Sequence, residues 1–358
     1  MPRISSLECS RCHHRVAADS AQTVCPVCND VLFVRYDMEE IKRSVKRPTG
    51  DSGTGIWRYA GVLPEFAPVS LGEAGTRLLQ SRQSSGLFVK DEGRNPTGSM
   101  EDRGMALAVA AAKHYGVQQL SIASQGDAAA SLAACAATAR IVAHVFVPQD
   151  VVLANHLECV AFGAKITIVN GLISDCERVR AERAGDSFDI SELKEPFRLE
   201  GMKTLGYELV EQLGWEYPVA LICTTGLVAV AIRKAFEEME QLGWVKGQRP
   251  RFYVSRGNNS FGMNVIEDSG GRVVDGGEAL DTLLDWSKQE GLLLSPEGAS
   301  CVGAYQALLA TGELSAGNRV ILINGSSGAK HAEAIAKALR LRPSLPSSLP
   351  VGGIITPQ

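Results

Sequence analysis

LFVKDEGRNPTGSMEDRGMALAVAAAKHY, residues 87–115, is the stretch that decides the fold. Leu87–Lys90 is a short apolar run of strand type, and Asp102–Tyr115 is an Ala/Leu-rich run of helical type. The same alternation continues to the end of the chain. Strands are expected at Leu120–Ala123, Val142–Val147, Lys165–Val169, Val219–Cys223, Phe252–Ser255 and Arg319–Asn324. Helices are expected at Asp127–Arg140, Leu153–Phe162, Met202–Leu213, Leu227–Leu242, Cys301–Ala310 and Ala329–Leu341. Strands alternating with helices argue for an α/β fold with mainly parallel sheets covered by helices. In such sheets ligands sit at the C-terminal ends of the strands, near helix N-termini.

The chain has 358 residues, enough for about two or three domains. A 45% hydrophobic and 21% charged composition is globular. Thirty-six basic against forty acidic residues give a net charge of −4, which argues against a nonspecific nucleic-acid binder. No apolar run approaches the roughly 20 residues that span a bilayer, and no membrane partner is expected. The opening MPRISSLECSRCHH lacks the apolar segment of a secretion signal. Of nine cysteines, five are scattered singly, the usage of a reducing compartment; a cytoplasmic protein is expected. The other four form two Cys-x-x-Cys pairs, Cys9/Cys12 and Cys25/Cys28. Two such knuckles can present four thiolates to one tetrahedral ion, with zinc the first choice and a purely structural role. A disulfide pair or four metal-free thiols are the alternatives. The expected organisation is a four-cysteine, zinc-ribbon-like module over 1–35, a linker and first part of the core over 36–86, a two-domain core over 87–341, and a Pro/Ser-rich tail over 342–358.

Three stretches carry a family resemblance: Val89–Lys113, Ser124–Ala137 (SQGDAAASLAACAA), and Pro296–Leu314 followed by Ile323–Lys330 (INGSSGAK). With Trp57–Tyr59, Ser70–Thr76 and the cysteine module, they resemble threonine synthase, of the tryptophan-synthase-β-like, fold type II group of pyridoxal-phosphate (PLP) enzymes. The resemblance implies two open α/β domains with the active site in the cleft between them, and a homodimer. It fails at the residues that would hold the cofactor. Where the family motif has its Schiff-base lysine, this chain reads Asn95-Pro96-Thr97-Gly98-Ser99-Met100-Glu101-Asp102-Arg103-Gly104. A carboxylate cannot form an imine. The Gly-rich phosphate loop of the family is Thr224-Thr225-Gly226-Leu227-Val228-Ala229 here, and its side chains would crowd a phosphate nest. The family's Ser-x-Gly-Asn is Ser124-Gln125-Gly126-Asp127, with Asp127 suited to cap the following helix. Its Thr-Gly-Ser-Gly is Gly325-Ser326-Ser327-Gly328.

PLP is therefore not expected. The expected function is a PLP-independent lyase, isomerase or cyclase acting on an unphosphorylated small molecule. Glu101 and Asp127 are the catalytic candidates, with Glu101 expected in a partly apolar cleft that raises its pKa. Asn95, Thr97, Ser99, Ser124, Gln125, Thr224, Thr225 and Ser326 are the substrate-binding candidates. The alternative is a non-catalytic homologue acting as partner subunit or ligand sensor. Lys90 and Lys330 are the other amines to which PLP could attach, against plainer readings of Lys90 as a strand-end residue and Lys330 as a solvent-facing residue at a helix start; Arg256 reads as a contact for an anionic group or, more simply, as a surface residue.

Overall fold

A computed structural model describes residues 4–48, 54–255 and 261–341. The strands are β1 (Ile4–Cys9), β2 (Arg15–Val16), β3 (Leu32–Tyr36), β4 (Arg77–Gln80), β5 (Leu87–Asp91), β6 (Gln119–Ala123), β7 (Val142–Pro148), β8 (Lys165–Val169), β9 (Phe188–Asp189), β10 (Ala220–Cys223), β11 (Arg251–Val254) and β12 (Val320–Asn324). The α-helices are α1 (Met38–Ser44), α2 (Glu101–His114), α3 (Asp127–Ala139), α4 (Leu153–Ala161), α5 (Ile173–Arg183), α6 (Phe197–Met202), α7 (Thr204–Gln212), α8 (Gly226–Leu242), α9 (Met263–Asp268), α10 (Ala279–Glu290), α11 (Pro296–Ala310) and α12 (Ala332–Ala338). Arg256 and the tail over 342–358 lie outside the described residues.

Two α/β sheets make the body. One has the order β11-β10-β12-β5-β4, parallel except for the antiparallel edge strand β4. The other, β8-β7-β6-β9, is wholly parallel. The β10, β12 and β5 runs are almost entirely buried because helices cover both faces, which is why they read as continuous apolar stretches. Helix α2 connects the two halves and is buried from Asp102 to Ala112. Its small residues permit close approach: a Cβ on Gly104 would lie 2.7 Å from the Arg198 stem, and one on Gly201 would lie 2.1 Å from the Arg103 carbonyl oxygen. Helices α2 and α6 thus pack nearly backbone to backbone.

Two expected helices differ from their spans. Met202–Leu213 is α7, starting at Thr204, and a helix that was not expected, α6, ends just before it, with Lys203 between the two. The Thr204 hydroxyl donates to the Gly201 carbonyl at 2.7 Å, a local bond that competes with the helical ladder. Ala329–Leu341 becomes a 3₁₀ turn, Gly328–His331, followed by the shorter α12.

The cysteine module folds as an antiparallel sheet, β2-β1-β3. Leu7, Cys9, Cys25, Leu32 and Val34 share one apolar core with Met105–Ala112 of α2. At the end of β3, the Tyr36 hydroxyl donates to Glu200 of α6 at 2.6 Å, and Lys203 and Lys234 lie over its ring at 4.5 and 5.2 Å. Glu200 is fully buried, and a buried carboxylate requires such partners. The module therefore rests on both helices that shape the site described next.

Candidate active site at the junction of the two sheets

The residues after β5 cross the end of β12. Met100 N–H donates to Gly325 O at 2.8 Å, and Ser327 N–H donates to Gly98 O at 2.8 Å. Ser99 and Ser326 pair as an antiparallel bridge. This places Glu101, the first residue of α2, at the C-terminal ends of the strands, where α/β sheets hold ligands.

Glu101 faces a cation. Arg198 of α6 donates from Nε (3.1 Å) and Nη2 (2.7 Å), both to Oε2 of Glu101. Arg198 is only 5% exposed, while the Glu101 side chain keeps 14% of its surface. Oε1 of Glu101 takes no hydrogen bond among the described residues. The expected partly apolar setting is thus corrected, because a buried guanidinium stands directly against the carboxylate. Sequence reasoning missed Arg198. Its signal was a lone cation in the apolar run Phe197-Arg198-Leu199, which marks a buried charge in need of a partner.

Below this pair, Glu195 accepts from the backbone N–H groups of Phe197 and Arg198, both at 2.7 Å. Burial pushes its carboxyl up, the two N–H donors offset part of that, and it settles at about 7. A folded-state value above the ordinary 4.5 means that the native protein holds this proton more tightly than the unfolded chain. The stability it contributes is full below pH 4.5 and is lost as pH rises to about 7. Glu195→Gln should remove that slope. Relative to wild type, the variant should gain on the order of 3 kcal/mol between about pH 4.5 and about pH 8. Urea unfolding of both proteins across that range measures it, and parallel pH profiles would contradict it.

Half of the candidate binding groups are already engaged within the protein. Asn95 Oδ1 accepts from Ala74 N–H at 2.8 Å, and its amide donates to Glu92. Thr97 gives both its N–H and its hydroxyl to Asp102, at 2.7 and 2.6 Å. Ser99 Oγ accepts from Glu101 N–H at 3.2 Å. Ser124 Oγ accepts from Gly126 and Ala129 N–H, so it, rather than Asp127, caps the start of α3. These four groups therefore also hold the local backbone in place. Gln125 and Thr225 are exposed. Thr224 and Ser326 are buried, and neither hydroxyl has a partner among the described residues. The Met100 thioether lies 3.3 Å, and Thr224 Oγ1 3.8 Å, from where a Cβ on Gly325 would stand.

Asp127 and Glu101 are held by different cations. Asp127 Oδ1 meets Lys330 Nζ at 3.2 Å. Lys330 is corrected from solvent-facing to 8% exposed. Lys90 is fully buried, bonded to Glu208, Gln212 and the Thr76 carbonyl. Two surface depressions, one lined by Leu78, Phe88, Gln212, Leu213 and Arg319 and the other by Ala74, Gly75, Thr76, Arg77 and Arg94, contain none of the expected site residues.

The four thiols of Cys9, Cys12, Cys25 and Cys28 lie within 4.8 Å of one another, an arrangement that could hold a metal ion. Burial raises the Cys9 thiol, but N–H donation from Cys12 and Arg11 outweighs it and brings it to about 6. The thiolate is the form that binds metal.

A family profile described as pyridoxal-phosphate dependent enzyme matches residues 69–325. The chain belongs to that family. A threonine synthase from Methanocaldococcus jannaschii is 29% identical, covering 92% of this chain and 94% of its own. One from Methanosarcina acetivorans is 33% identical over 66% of this chain and 61% of its own. The fold also matches solved structures: O-ureido-L-serine synthase at TM-score 0.59 (14% identity, 76% of this chain, 94% of that one), and L-serine ammonia-lyase from Rhizomucor miehei at 0.60 (16% identity, 76% and 99%). The chain is threonine-synthase-like and of fold type II.

The residues at the junction do not fit the cofactor that the family name implies. Glu101 offers no amine and is anchored to Arg198. At the first turn of α8, Leu227 and Val228 are buried side chains. The Phe261 carbonyl oxygen lies 2.1 Å from where a Cβ on Gly226 would stand, so an acceptor presses on the turn where a phosphate would need donors.

Proposed function

We propose that this protein is a PLP-independent enzyme on a threonine-synthase-like scaffold, in which Glu101 moves a proton on an unphosphorylated small molecule. The observation that carries the reading is the split role of the carboxylate. Oε2 is anchored by a buried guanidinium, while Oε1 has no partner among the described residues and the side chain retains access to solvent. A base held by one oxygen and free at the other is positioned without being consumed. It would take a proton from substrate C–H or O–H, then return it to a leaving hydroxyl (dehydration) or to another carbon (isomerisation or cyclisation). Asp127, tied to Lys330, is not assigned a part in that transfer. The four cysteines would hold a structural zinc ion, since a full thiolate set leaves no open coordination position. A cytoplasmic homodimer is part of the same reading.

Two measurements test it. Native mass spectrometry of the purified protein should find a retained small molecule without phosphate, and Glu101→Gln should stay folded yet fail to turn that molecule over. Added PLP should give no stoichiometric visible band. A saturable band at one PLP per chain would sink the proposal.

A further inference from the structure

One cation spans the junction without a part in the chemistry above. Lys330 stands in the 3₁₀ turn after β12, on the five-stranded half. Its ammonium lies among three oxygens of the other half: Asn155 Oδ1 at 2.7 Å, Glu158 Oε2 at 3.1 Å and Asp127 Oδ1 at 3.2 Å. Asp127 opens α3, and Asn155 and Glu158 belong to α4. Asn155 is itself 4% exposed, so this is a built pocket and not a chance surface pair.

The packing around it is tight on both sides. Gly98, at φ +72°, gives room to the lysine stem: a Cβ there would stand 3.2 Å from Lys330 Cε. Gly126, at φ +144°, gives room to the Asn155 amide: a Cβ there would stand 2.5 Å from Asn155 Nδ2. Both positions have backbone angles that side chains other than glycine rarely adopt. The loops on the two halves are thus shaped around one ammonium and its stem. The ammonium donates to Asn155 and Asp127, Glu158 Oε2 stands beside it as an ion-pair partner, and the two carboxylates supply its counter-charge.

We propose that Asp127, Asn155 and Glu158 form a recognition site for a primary ammonium, that Lys330 occupies it as a latch joining the two halves of the protein, and that external alkylammonium ions can take its place. The site is independent of which reaction Glu101 performs. It also names the class of small molecule able to compete for the junction: one carrying a protonated primary amine.

Hydrogen–deuterium exchange on the full chain tests this through Lys330→Ala. Removing the ammonium should speed exchange at least tenfold in Ser124–Ala130 and Leu153–Ala161, with β5 and β12 unchanged. Adding n-propylammonium chloride, which matches the missing end of the side chain, should slow those two segments again. Tetramethylammonium chloride at the same concentration has no N–H to donate and should not. The double variant Asp127→Asn with Glu158→Gln, which keeps Lys330, should loosen the same segments and resist rescue by either salt. It also serves if Lys330→Ala does not fold. Unchanged exchange in the two segments, a rise spread evenly over the whole chain, or equal rescue by the two salts would each overturn the proposal.

Discussion

Glu101→Lys is expected to destabilise the protein by about 3–5 kcal/mol and to leave it without a PLP imine. Arg198 is buried, and its Nε and Nη2 donors both end on Glu101. Removing one partner of a buried ion pair leaves an uncompensated charge, and that is the costly half of the change. Placing an ammonium there adds repulsion of about 4 kcal/mol at about 4 Å and an effective dielectric of about 20. The chain can lessen this by swinging the lysine toward solvent, which takes it away from any bound aldehyde. The first turn of α8 would remain filled by Leu227 and Val228. Chemical denaturation and a visible spectrum with added PLP measure both halves of the claim. A variant as stable as wild type that gains a stoichiometric absorbing adduct would show that the lysine site had been intact all along.

The second large effect is expected at the four cysteines. Cys12→Ser with Cys28→Ser should abolish metal binding and unfold the segment from Ile4 to Tyr36. Neither position is fully buried, so the substitutions remove ligands without opening a cavity. A bound zinc ion would contribute on the order of 10 kcal/mol to folding such a module. Metal analysis should find one zinc per wild-type chain and none in the double variant. A chelator should lower the melting temperature of the wild type alone. A wild-type protein that melts at the same temperature with and without chelator would refute it.

How far the sequence could be read follows from where the signals were local. Strands β5, β6, β7, β8, β10, β11 and β12 all fall within a residue or two of their expected spans, because each is an apolar run bounded by polar residues. β4, Arg77–Gln80, was not legible: as an edge strand with both end residues exposed, it has too little buried surface to mark its sequence. α5, Ile173–Arg183, carries so many charges that no apolar face stands out, and only Cys176 in it is buried. The site divided in the same way. The position of Glu101 at a helix start beside strand ends was readable from the strand–turn–helix order. Its partner was not, because Arg198 is 97 residues away in sequence and only packing of α2 against α6 joins them. Lys330 was misjudged for the same reason, since its three partners come from α3 and α4 across the junction. Asn95, Thr97, Ser99 and Ser124 looked like free hydroxyls and amides because sequence does not display a hydrogen bond that is already made.

The hydroxyl of Tyr36 makes the N-terminal module a keystone rather than an ornament. Its bond to Glu200 ends on the same short helix that carries Arg198. A shortened protein beginning beyond Tyr36 would strand that carboxylate between two lysines with one fewer donor and bare the flank of α2. Chimeras that exchange this segment between relatives should succeed only when the docking tyrosine travels with it.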